Sequence, residues 1–322
     1  MKKILPFVFG AVIAASVIAA PFLAKKQTEG VENKVYKAII TIWQIDSFEG
    51  GSGSRAAFLK RVSANFNKKY NDVLTLVIAR TVNGTVEALK NGELPDIISS
   101  GVCGFELKNA VKLKNYDIKD GGETKNGRYF VAWCKGGYFK IKKRGKTPVK
   151  TLIINGGNNL SEVAAALNGE TNVEVTEKEE AYNEFLKNEN VALIGTQRDI
   201  IRLMKKETDF EAEPVSVYND LYQYAAVTAV SNEKRECAKL FLNYLLSEKI
   251  QKKLTDINML SVTLGGLYPE NAYYSALEKE KTEFALSPYT ELSRIQTLKA
   301  AALDRLNGGE NESEIINILK RL

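Results

Sequence analysis

The chain of 322 residues contains no histidine. That removes the commonest transition-metal ligand and the usual general base near neutral pH. Cysteine is scarce too. Cys103, Cys134 and Cys237 stand far apart, so neither a CxxC pair nor a zinc-finger spacing exists. Cys237 falls at helical spacing with Leu240, Phe241, Tyr244 and Leu245, the pattern of a buried core thiol. For Cys103 and Cys134, a disulfide and two separate thiols are both open. Basic excess is small: of the formal charge of +6, Lys2, Lys3, Lys25 and Lys26 supply four, which leaves +2 for residues 27–322. So even a balance carries no electrostatic footprint for nucleic acid or an acidic substrate. Tryptophan is limited to Trp43 and Trp133, and no internal repeat or low-complexity tract is present.

What is present is a globular composition, 44% hydrophobic and 26% charged, on a chain long enough for two domains. Residues 1–26 form an export segment: Met1-Lys2-Lys3, an uncharged run from Ile4 to Ala24, then Lys25-Lys26. Small residues allow cleavage after Ala19, while the run also has about the 20 apolar residues that span a bilayer. Lys25 and Lys26 favour the uncleaved tether, and no cysteine near the run's end allows a lipid anchor. In both cases the body lies outside the cytoplasm. Residues 27–34 are a polar linker.

The body is organised around Ile39–Phe66. Ile39-Ile40-Thr41-Ile42 has the β-branched run of a strand buried on both faces. Trp43, Asp46 and Glu49 follow at its carboxyl end, then a turn holding Gly50, Gly51, Ser52, Gly53 and Ser54. Phe58, Leu59, Val62 and Phe66 then share one helical face. In open α/β sheets the crevice outside strand carboxyl ends is where ligands bind, and the N–H groups at a helix start favour polar groups there.

The pattern recurs. Strand Val73–Ala79 precedes a helix over Thr81–Lys90, and Pro95–Ile98 ends in Ser99-Ser100-Gly101. Arg128–Lys140 is an extended segment that changes course at Gly136-Gly137. A second α/β region follows, with strands at Thr151–Asn155, Val173–Val175 and Val191–Ile194 and helices at Ser161–Leu167, Lys178–Asn188 and Asp199–Lys206. Val215–Val217 leads through Tyr218, Tyr222 and Tyr224 into apolar Ala225–Val230, and an amphipathic helix covers Glu233–Leu246. Helices at Leu292–Leu306 and Ser313–Leu322 close the chain. Parallel strands with crossover helices, an α/β fold, are the implied architecture.

Four stretches in this order resemble the extracellular solute-binding proteins, family 1, of carbohydrate-type ABC importers. They are ITIWQIDSFEGGSGSRAAFLKRVSANFNKKY, LKNGELPDII at Leu89–Ile98, EAYNEFLKNENVALIGTQRDIIRL at Glu180–Leu203, and ECAKLFLNYLLSEKIQKKLTDINMLSV at Glu236–Val262. RYFVAWCKGGYFKI at Arg128–Ile141 looks like that family's first crossing between lobes. The resemblance implies a two-lobed periplasmic-binding-protein type II fold that closes about a hinge on its ligand. Residues 35–130 plus 226–284 would form lobe 1, and residues 131–225 plus 285–322 lobe 2. Two departures stand out: there is no lipobox cysteine, and the passage from Lys108 to Lys125 is short and basic.

A sugar site needs flat aromatics against ring faces and planar polar groups for hydroxyls. Trp43, Trp133, Tyr138, Tyr222 and Tyr224 are the candidate aromatics, each with core or hinge packing as its alternative. Asp46, Glu49, Ser52, Ser99, Thr196, Gln197 and Arg198 are the candidate polar groups, with helix capping or surface solvation as theirs. Arg198 has a further option, pairing with Asp46 or Glu49 across a closed cleft. The expected function is capture of a small solute by a monomer that delivers it to ABC permease subunits, with no cofactor, metal, nucleic acid or catalysis involved. Rival readings are the same fold binding phosphate or another oxyanion, a tethered ligand-presenting sensor, and a glycosidase using Asp46 and Glu49. The last suffers because two acids three residues apart do not easily flank one glycosidic bond.

Overall fold

The computed structural model describes residues 37–45, 53–102, 104, 107, 109–116, 118, 121–155, 159–309 and 312–320. The expected export segment and linker, with Asp46, Glu49, Ser52 and Cys103, lie outside the described residues. Residues 38–322 form one compact unit, which contains two five-stranded sheets. No helix among the described residues is long and apolar enough to cross a membrane.

The first sheet grows from two β–α units. Strand β1 (Ala38–Ile45) pairs in parallel with β2 (Val73–Arg80) and β3 (Ile97–Ser100), the connections being α1 (Arg55–Lys69) and α2 (Val82–Lys90). Ser54 and Thr81 cap the two helices through their hydroxyls, taking the N–H groups of Ala57 and Gly84 that have no partner within the helix. As expected, α1 buries Phe58, Leu59, Val62 and Phe66 against Ile40 and Ile42. The expectation that β1 is buried on both faces fails at its start, where Ile39 is 45% exposed. Its neighbour β2 is the edge strand, and among the described residues no element covers Ile39, Leu76 and Ile78 on the face away from α1. Asn67 of α1 guards part of that edge: its carboxamide accepts from the Thr75 N–H and donates to the Thr75 carbonyl.

Past a small hairpin of β4 (Glu123–Thr124) and β5 (Gly127–Arg128), strand β6 (Phe130–Lys135) takes the far edge of the first sheet, separated from β3 by a strand from later in the chain. The chain then crosses at Gly136-Gly137 into the second sheet. Its order is β11 (Phe210–Val215), β7 (Tyr138–Lys143), β10 (Val191–Thr196), β8 (Lys150–Asn155), β9 (Val173–Glu177). Helices α3 (Ser161–Leu167), α4 (Lys178–Lys187) and α5 (Gln197–Lys205) join its parallel strands. The short strand β12 (Tyr218–Asn219) leads back to β13 (Tyr222–Val227), which lies antiparallel between β3 and β6.

The remaining helices cover the two sheets. On the first lie α6 (Asn232–Leu245), α7 (Glu248–Gln251) and a 3-10 turn at Lys252–Ile257. Helix α8 (Ala272–Lys279) packs Tyr274 and Leu277 with Phe139 and Ile200 of the second. Strand β14 (Phe284–Ala285) pairs with β12. Then α9 (Leu292–Leu306) and α10 (Glu312–Lys320) lie on α3, where small Ala164, Ala165, Ala301 and Ala302 allow close approach. Strand β6 lies in the first sheet and β7 in the second, so the chain passes between the sheets at Gly136-Gly137. It returns between β11 and β13 near Asp220-Leu221, while Tyr274 and Leu277 of α8 pack on the second sheet. Hydrophobic pattern marks a buried strand but not which sheet buries it.

Candidate solute cleft

Of the expected polar groups, Ser99 stands at the carboxyl end of β3 in the first sheet, and Thr196, Gln197 and Arg198 stand at that of β10 in the second. On the first side, Arg80 ends β2 beside Ile45, and its guanidinium lies 3.9 Å over the Trp43 ring. Glu93 holds the same guanidinium at 3.0 Å. Trp43 itself is 4% exposed, buried beneath that guanidinium. On the second side, Thr196 and Asp199 form a capping box at the start of α5. Arg198, the next residue but one after Thr196, donates to the Gly53 carbonyl ahead of α1, so a side chain of one lobe reaches the backbone of the other.

Several residues expected at a ligand are instead held by the protein. Trp133 has no exposed surface: its indole N–H donates to Ser99 at 2.9 Å and its ring stacks parallel to Phe58 at 5.8 Å. The cause is local. Tyr224 pairs with Ala132 and Gln223 with Cys134, so Trp133 is the extra residue of a β-bulge, turned toward α1. As placed, Trp133 belongs to the core of the first lobe, and Cys134 and Cys237 are buried in the same core. Ser99 also accepts from Gln223 Nε2 at 3.2 Å. Gln197 is buried, its Oε1 accepting from the Gly137 N–H at 3.0 Å and its Nε2 reaching the Asn258 carbonyl. Tyr222 and Tyr224 stack on each other at 5.9 Å, Tyr222 with 7% of its surface exposed and Tyr224 with none.

Tyr138 leads to a group that sequence reasoning missed. Its hydroxyl donates to Asp220 Oδ1 at 2.7 Å, and the Leu160 N–H ahead of α3 donates to Oδ2 at 2.7 Å. Burial pushes the Asp220 carboxyl up to about 6, and these two donors pull the other way. Burial, and then the Asp220 charge, likewise hold the Tyr138 phenol well above its ordinary range. Asp220 sits in the Tyr218–Tyr224 run that the sequence singled out, but nothing in the pattern announces its burial. Lys135, at the end of β6, is a second omission: burial lowers its pKa while Glu278 opposes the shift, and no ion pair among the described residues holds it. Among the described residues, no three His, Cys, Asp or Glu side chains are grouped to hold a metal.

No protein-family model matches the chain, and no curated protein does. Solved structures do match along most of its length. The sugar-binding protein MalE from the phytopathogen Xanthomonas citri aligns with a TM-score of 0.64 at 10% identity, covering 88% of this chain and 96% of that one. The cyclic α-maltosyl-1,6-maltose binding protein from Arthrobacter globiformis aligns at 0.61 and 12%, covering 88% and 97%. The raffinose complex of the solute-binding protein RafE aligns at 0.53 and 12%, covering 88% and 98%. The fold is that of the two-lobed sugar-binding proteins. In this binding-protein fold the two sheets are joined by short connections, which here run through Gly136-Gly137 and Asp220-Leu221.

Proposed function

We propose that this chain is an extracytoplasmic solute-binding protein of an ABC importer, closing two lobes on a sugar or oligosaccharide and passing it to permease subunits. The observation that carries this reading is the meeting of the two rims, where Arg198 of the second lobe reaches Gly53 of the first. Its support is the fold shared with proteins that bind maltose-type sugars and raffinose. Trp43, Tyr222, Thr196 and Arg198 are the proposed lining, together with Asp46, Glu49 and Ser52. The export segment would hold the protein at the membrane or be cleaved. The mass of the mature N-terminus decides between the two.

Calorimetry with raffinose, maltotriose and maltotetraose beside inorganic phosphate tests the class of solute. Heat from a sugar, with compaction in small-angle scattering, is the expected result. The described cations Arg80, Arg198 and Lys135 favour one second reading, an anionic solute, which a response to phosphate alone would select. Chromogenic glycosides are expected to remain intact.

A further inference from the structure

The first turn of α5 touches both the connections between lobes and the far rim. Gln197 forms the inner part of this arrangement. Its N–H donates to the Gly137 carbonyl and its Oε1 accepts from the Gly137 N–H, both at 3.0 Å. Its Nε2 faces the Asn258 carbonyl at 3.4 Å and Met259 Sδ at 3.2 Å. Its carbonyl accepts from the Tyr274 hydroxyl at 2.8 Å. A Cβ on Gly136 would lie 2.6 Å from Gln197 Oε1, so glycine is what lets the two elements come this close. The crossings are also tied to one another: the Gly136 N–H donates to the Leu221 carbonyl at 2.7 Å, and Asn219 Nδ2 to the Gly136 carbonyl at 2.8 Å. One peptide bond further along α5, Arg198 reaches out to the Gly53 carbonyl.

We propose that this turn is a cross-cleft latch, with Gln197 as its anchor at the crossings and Arg198 as its bolt on the opposite rim. The bond joins a charged donor to a main-chain carbonyl, a stronger class of hydrogen bond than one between neutral groups. Both partners are protein groups, so the bond needs no solute to form. A solute entering there must share or displace it. Arg198 is therefore a positioning residue that sets how open the empty protein is, and solute affinity depends on it through that equilibrium. This inference rests on the two-lobed binding-protein reading, but its test requires no solute.

Small-angle scattering of the unliganded protein compares wild type with Arg198→Met, whose side chain keeps length but cannot donate. The expected result is a larger radius of gyration for the variant, with an unchanged circular dichroism spectrum. Gly53→Val attacks the bolt from the other side, because even a Cβ there would sit 3.3 Å from Arg198 Nη2. It is expected to open the protein likewise, and it supplies the readout should Arg198→Met not fold. Gln197→Leu is expected to speed hydrogen exchange at the Gly137 amide. A folded variant with the wild-type radius of gyration would overturn the latch, whatever the solute proves to be.

Discussion

The two proposed rims use similar residues to different ends. On the second lobe, polar groups at strand ends are spent on the backbone: Thr196 and Asp199 on each other and the helix start, Gln197 on Gly137, Asp220 on Leu160. On the first, Arg80 rests on the face of Trp43 with 26% of its side chain exposed. A helix start leaves N–H groups without intrahelical partners, and nearby oxygens satisfy these before any ligand can. Polar residues at strand ends therefore report capping first. A site shows itself where a polar group at a strand end retains contact with solvent.

The largest expected effect sharpens this contrast. Trp133→Ala should cost about 3–5 kcal/mol of stability, the usual range for a buried aromatic, with little change in solute affinity once the variant is folded. Urea unfolding beside calorimetry checks it, and a selective loss of affinity would return Trp133 to the cleft.

The second effect is on pH. The Asp220 carboxyl is raised to about 6 in the folded chain from an ordinary 3.8, so the folded state holds its proton more tightly. The neutral form's contribution to stability is complete below about pH 4 and is lost as pH rises through 6. The two-unit displacement corresponds to about 3 kcal/mol. Asp220→Asn should flatten that part of the stability profile relative to wild type. Parallel profiles for the two proteins would show that Asp220 ionises normally. Glu162 and Tyr218 lie within electrostatic reach of Asp220, and Tyr138 bonds it directly, so all three belong in any fit of the curve.

Asp199→Ala, which removes the second lobe's capping box, should cost about 1 kcal/mol of stability. The smallest expected effect lies on the first rim. Arg80→Met should cost about 0.5–1 kcal/mol of stability, the scale of a half-exposed ion pair and a cation–π contact, while altering solute affinity. Unchanged affinity would mean that the Trp43–Arg80 stack lies outside the cleft.

The order of β–α units, the buried face of α1 and the turn at Gly136-Gly137 were all legible in the chain. Each follows from local stereochemistry or from periodicity, which neighbours in sequence are enough to express. Trp133 shows where such reasoning stops. An aromatic beside a glycine pair suits a crossing between lobes, but a one-residue bulge against β13 turns it into the core. Ile39 shows the converse, a β-branched residue with the look of a buried strand that lies exposed because its neighbour β2 is an edge.

By itself the sequence determined the order of the main β–α units, the apolar face of α1, and that the parallel units are built by crossover helices. Those choices depend on backbone preferences and on side-chain spacing within a dozen residues. Only the tertiary structure decided which sheet each crossing strand joins, which polar ends are consumed by caps, and that Arg198 meets Gly53 across 145 residues of chain. Such pairings depend on distances between segments that no local pattern encodes.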